Sequence, residues 1–257
     1  MFRLIDTHAH LNHEDFDHDL ERVIERAAQE GVERIIVPGY DLPSSRRAVE
    51  LAGRFEGIYA AVGVHPHDAK TLDAATFAEI RALAGAGGVV AIGEIGLDFH
   101  YDLSPRQVQI EAFRAQAALA IELNLPLIVH TREAAEEVLA VLRQTGVGHA
   151  AGVMHHFSGG EQFARAAMEM GFILGIAGPV TYKKNDELRE TVRRVGLNAL
   201  VVETDSPYAA PQPVRGKRNE PGYVTRVAAR IAEELGLGIE GVAATTTANA
   251  EKLFRLR

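Results

Sequence analysis

Eight short apolar runs recur along the 257 residues, each followed by a polar turn and then a longer stretch with helical spacing. The strand-like runs are 2–6, 34–38, 58–64, 89–94, 127–130, 152–155, 172–176 and 200–203. Helical stretches are expected at 19–30, 45–55, 74–84, 105–123, 133–143, 162–170 and 186–195, with a last pair at 224–235 and 239–253. Strands this continuously apolar are buried on both faces, which requires parallel pairing and crossover helices, an α/β fold. The open doubly wound sheet normally carries a glycine-rich phosphate loop after its first strand. Here the first strand runs into Asp6-Thr7-His8-Ala9-His10 instead. The expectation is a closed (β/α)8 TIM-type barrel, and 257 residues is an ordinary length for one. No linker-like tract, repeat or low-complexity segment interrupts it, so one domain over residues 1–257 is expected.

Composition narrows the function classes. The net charge of −8 leaves no global basic field for long nucleic acid, so any phosphate must be held by a local site. The absence of cysteine excludes disulfides and thiolate metal sites and suits a cytosolic enzyme. The first residues lack the apolar core of a signal peptide, and no run approaches the ~18 apolar residues of a membrane helix. A cytoplasmic protein with no membrane attachment and no obligate protein partner is expected.

In α/β barrels the active site is built at the C-terminal ends of the strands. The first strand here ends in His8 and His10, the third in His65, the fourth in Glu94, the fifth in His130, the sixth in His155 and the eighth in Asp205. A lone buried histidine is more often a core residue than a ligand, and a His-x-His pair by itself is weak. Chance delivery of an imidazole or carboxylate to six strand ends is much harder to explain. Residues i and i+2 on an extended end point the same way, so His8 and His10 can face one ion.

Four histidines and two carboxylates exceed what one catalytic ion takes, which is usually three protein ligands and an open position. They suit two divalent ions sharing Glu94, central in strand order. One ion takes His8, His10, Glu94 and Asp205, and the other takes Glu94, His130 and His155. Two ions ~3.5–4 Å apart can ionise a bridging water. The ligand set admits Mg, Mn or Zn.

Other residues carry less. His65 is expected to support a ligand or contact phosphate. His67, Asp98 and Arg132 are left open, while His13, His18, His100, His149 and His156 are expected in surface or packing roles. Residues 206–222 form a long, proline-rich stretch without periodicity, and such loops are usually functional or disordered. Arg215, Lys217 and Arg218 make it the densest basic cluster near the strand ends, with Lys183 and Lys184 adding to it. Arg215, Lys217 and Arg218 are the candidates for holding a substrate phosphate, against a plain reading of Lys217 and Arg218 as a solvated, salt-bridged turn.

These segments, Ile5-Asp6-Thr7-His8-Ala9-His10, Gly63-Val64-His65-Pro66-His67, Gly93-Glu94-Ile95-Gly96-Leu97-Asp98, Val129-His130-Thr131-Arg132, His155-His156-Phe157-Ser158-Gly159, Glu203-Thr204-Asp205-Ser206-Pro207 and the Arg215–Pro221 run, resemble the TatD-type metal-dependent deoxyribonucleases. The order of the motifs is kept from Ile5 to Leu253. The resemblance implies an amidohydrolase-superfamily barrel, divalent metals at the positions above, and DNA hydrolysis, often as a 3′-to-5′ exonuclease; the low basic charge adds the expectation that the DNA is engaged at accessible single-stranded 3′ ends. Where that family commonly has cysteine after the sixth-strand histidine, this chain has His156. In the mechanism so implied, a metal-activated water attacks phosphorus, Asp205 orients it and takes its proton, and the metals with Arg215 stabilise the phosphate charge. The rival is a related hydrolase of amides, lactones or aminoacyl esters. Such relatives often bridge their metals with a carbamylated lysine, and no strand end here offers one.

Overall fold

The computed structural model describes residues 2–147 and 152–256. His149 lies outside them. The strands are β1 (Leu4–Asp6), β2 (Val32–Pro38), β3 (Ile58–Val62), β4 (Val89–Asp98), β5 (Leu127–Arg132), β6 (Gly152–Met154), β7 (Ile173–Ile176) and β8 (Leu200–Val202), hydrogen-bonded in chain order. Helices α1 (Leu20–Gln29), α2 (Leu42–Arg54), α3 (Ala74–Ala84), α4 (Arg106–Leu123), α5 (Ala135–Thr145), α6 (Glu161–Glu169) and α7 (Asp186–Val195) alternate with them. α8 (Val224–Leu235) and α9 (Ile239–Phe254) close the chain. Among the described residues no helix is long and apolar enough to cross a membrane.

The chain forms two compact units. The first comprises the segments through Val37, His156–Arg165, and from Leu174 onward. Its strand order is β7-β8-β1-β2, all parallel. Leu174 to Ile176 pair with Leu200 to Val202, the Thr7 N–H donates to the Val202 carbonyl at 3.1 Å, and Asp6 pairs with Ile35. Beyond the strand ends Ala9 still bridges to Ser206. Helix α1 turns Leu20, Val23 and Ala27 inward at the 3–4 residue spacing of one helical face.

The second unit comprises Pro38–His155 and Ala166–Ile173, with the parallel order β3-β4-β5-β6. Its helix starts are locally encoded. Asp41 caps α2 by accepting from the Ser44 N–H at 2.8 Å, and Asp73 does the same for α3 at Thr76. Such caps contribute about 0.5–2 kcal/mol each. Burying side chains such as Phe113 and Ile92, both without exposed surface, stabilises by about 1.5–3 kcal/mol apiece.

Strand β4 runs four residues past the expected end at Glu94. Glycine is in general a poor strand former, yet Gly93 and Gly96 are what carries this strand on. A Cβ on Gly93 would lie 2.5 Å from the Ile128 Cβ, and Gly96 has φ +140° with its Cβ position only 2.0 Å from the His130 carbonyl oxygen. Only glycine lets β4 run this close to β5. The register shifts between Ile92 and Ile95, and pairing then continues through Gly96–His130 to Asp98–Arg132.

Candidate metal centre

Two clusters of histidines and carboxylates occupy the C-terminal strand ends, one in each unit. In the first unit His8 and His10 flank Ala9, whose bridge to Ser206 keeps the chain extended, so both imidazoles fall on one side. Their Nε2 atoms stand 3.2 Å apart. Asp205 Oδ1 lies 3.6 Å from His10 Nε2 and 3.9 Å from His8 Nε2. Asp205 itself has φ +58°, a left-handed conformation that Asp tolerates better than most residues. Its N–H donates to the His8 carbonyl at 2.8 Å, which ties the two strand ends together. His156 Nε2 comes within 3.9 Å of Asp205 Oδ2, so His156 is a half-buried neighbour of the cluster and not the surface residue that one reading of the sequence allowed.

Behind these groups lie two fully buried carboxylates, Asp6 and Glu203. Burial pushes Asp6 up to about 8, against hydrogen bonds from Thr204 and His8 that favour its charged form. Asp6 accepts from the Thr204 N–H at 2.9 Å, the Thr204 hydroxyl at 2.5 Å and the His8 N–H at 3.2 Å. Glu203 accepts from the His156 N–H at 2.6 Å. Both therefore hold the backbone that presents the cluster.

In the second unit Glu94 is the hub. Its Oε1 lies 2.9 Å from His130 Nδ1, 3.5 Å from His65 Nε2 and 3.7 Å from His155 Nε2. Ligand atoms of His65, Glu94 and His130 all fall within 4.8 Å of one another, and all three residues are buried. Asp98 stands behind them. Its Oδ2 lies 3.1 Å from His130 Nε2 and 3.0 Å from His67 Nε2, while its Oδ1 accepts from the N–H groups of His100 and Tyr101. Burial disfavours charge on Asp98, but the hydrogen bonds from His130, Tyr101 and His67 outweigh it and hold the carboxyl well below the usual range. On His130 burial likewise opposes the charged form, and the contacts to Asp98 and Glu94 raise its pKa despite it.

Imidazole nitrogens and carboxylate oxygens gathered at these spacings, with little solvent access, are a donor set that fits a divalent cation. The chain matches the TatD related DNase family over residues 5–255. This chain belongs to that family. Similar proteins include the metal-dependent hydrolase YabD of Bacillus subtilis, 49% identical over 253 residues that cover 98% of this chain and 99% of that one. The 3′-5′ ssDNA/RNA exonuclease TatD of Cronobacter sakazakii is 38% identical, with 98% of this chain and 97% of that one covered. The solved structure of YjjV, a TatD homologue from Escherichia coli K12, superposes with a TM-score of 0.94 at 30% identity over 99% of both chains. The fold of this TatD-family member is the (β/α)8 barrel, and the chain is a metal-dependent hydrolase.

Against the expectations from sequence, His8, His10 and Asp205 come together in one cluster, and Glu94, His130, His155 and His65 in the other. Arg215 projects from the loop after β8 with its guanidinium 4.4 Å over the Tyr182 ring. Lys217 is exposed on the same loop. Arg218 does something else: it pairs with Asp19 and Glu220, both at 2.8–2.9 Å, and lies 4.9 Å over Phe16. Arg26 joins the same two carboxylates. Arg218 thus pins the loop to α1, the salt-bridged reading of this cluster, and its hydrogen bonds hold Asp19 well below the usual carboxylate range.

Asp98, left open by the sequence, and Glu203, which it offered only within a motif, are the carboxylates found behind the two clusters. Asp98 stands to His130 as carboxylates stand behind metal-binding histidines. Asp98→Asn keeps Oδ1 for the two backbone donors and replaces only the oxygen facing the imidazoles with an NH2. That substitution should weaken metal affinity by about 10- to 100-fold with little change in Tm, as read by metal titration and thermal unfolding of the apo protein. Unchanged affinity would make Asp98 a turn residue only.

Proposed function

We propose that this hydrolase is a two-metal deoxyribonuclease that removes nucleotides from single-stranded 3′ ends. The observation that carries the reading is the convergence of imidazoles and carboxylates at the C-terminal strand ends, where barrel enzymes build their sites. The basic loop after β8 supplies the local phosphate site that a chain of net charge −8 needs. His8, His10, Glu94 and Asp205 would hold one ion and Glu94, His130 and His155 the other, with Mg, Mn or Zn as the metal. Ions bound there would acidify water and stabilise charge on the non-bridging phosphate oxygens.

The protein's own groups do the rest. Asp205 orients the attacking water and accepts its proton. His65, against Glu94, supports that ligand or meets the phosphate. Arg215 and Lys217 bind phosphate, with the Arg218 ion pairs holding their loop in place. So few basic groups favour gripping a chain end over tracking a long duplex, and the substrate is cytoplasmic single-stranded DNA. The name of the Cronobacter relative makes single-stranded RNA the natural comparison substrate.

Metal-reconstituted protein incubated with 5′-labelled single-stranded DNA should give a ladder shortening one nucleotide at a time from the 3′ end. Cutting from the 5′ end or at internal sites, or turnover of lactones and amides with intact DNA, would overturn the reading. Arg215→Ala should leave metal content unchanged and lower kcat/KM on DNA by about 10- to 150-fold, because a charge-assisted contact is worth about 1.5–3 kcal/mol. Wild-type kinetics would return Arg215 to a solvated turn.

A further inference from the structure

We propose that Tyr208 is the platform on which the 3′-terminal nucleobase stacks, a role that rests on the nuclease reading and specifies how the strand end is recognised. Tyr208 is one of the few large hydrophobic side chains exposed among the described residues, 53% open to solvent. Its place is not incidental. The ring meets the His10 ring edge-to-face at 6.1 Å and the His13 ring at 5.7 Å, directly beside the first ligand cluster. A nucleotide whose phosphate reaches His10 and Asp205 carries its base alongside that cluster, where Tyr208 stands.

The backbone under this ring is held from both sides. The Tyr208 N–H donates to the Asp205 carbonyl at 2.9 Å, and its own carbonyl accepts from Asn219 Nδ2 at 2.6 Å. Asn219 is fully buried, donates also to the Thr204 carbonyl at 2.9 Å, and its N–H reaches the Pro207 carbonyl at 3.0 Å. A rigid backbone carrying an exposed aromatic ring is costly to keep for packing, since the ring contributes only part of its burial energy. It is well suited to receive a planar ligand, because little conformational entropy remains to be lost on binding. Arg215 leaves the same loop, so one segment offers a π-face for a base and a guanidinium for phosphate. Stacking of this kind accepts every base, because every base has a π-face.

The test compares two single strands that differ only at the 3′ end, one with an ordinary terminal nucleotide and one with an abasic terminal nucleotide. Wild-type protein should favour the base-bearing end by about 5- to 150-fold in kcat/KM, the range expected for one base-aromatic stack. Tyr208→Leu should collapse that preference, losing far more on the base-bearing strand than on the abasic one. Tyr208→Phe should restore the preference, since the ring and not the hydroxyl carries it. An equal loss on both strands, or a preference that survives in Tyr208→Leu, overturns the proposal while the nuclease reading stands. Wild-type protein that cuts neither strand brings down both together.

Discussion

Glu94→Ala should strip most of the bound divalent metal from the protein and lower activity by at least ~10³-fold, since metal stabilisation of transition-state charge is worth several kcal/mol. A single oxygen of Glu94 lies within 3.7 Å of three imidazoles, those of His130, His65 and His155. As the shared ligand of both proposed ions, it should take both with it. Protein purified without chelator should carry close to two ions per chain, and the variant much less than one. Elemental analysis of the two proteins decides this, and retention of both ions by the variant would end the bridging role. Glu94→Gln, which keeps the volume and one neutral oxygen, should fall between them.

Asp205→Asn separates chemistry from binding. General-base action contributes about 10²- to 10⁴-fold, so kcat should fall by that factor at saturating metal. Asparagine tolerates the left-handed backbone at φ +58° as aspartate does, and the N–H bond to the His8 carbonyl is untouched. The fold and, once metal is saturating, the binding of single-stranded DNA should therefore persist, with the proton acceptor and the negative charge of this ligand gone. A kcat within tenfold of wild type, measured with metal content verified, would assign the proton to another group.

Much of this was legible in the chain itself. Parallel strands buried on both faces must be apolar throughout, so each of the eight announced itself within three to ten residues. The group ending each strand is a local property as well: the i and i+2 geometry that brings His8 and His10 side by side needs no knowledge of the rest of the molecule. What stayed hidden depends on partners far away in sequence. The register of β4 against β5 decides that Asp98 stands behind His130, 32 residues on, and that register turns on the close approach of Gly93 and Gly96 to β5. Arg215 and Arg218 are three residues apart in one basic run. They part company because Asp19, 199 residues away, meets only the second. Local sequence could say which chemistry the strand ends carry. Only tertiary structure could say which charges are spent on one another and which remain for substrate, because pairing is settled by where the folded backbone places the opposite charge.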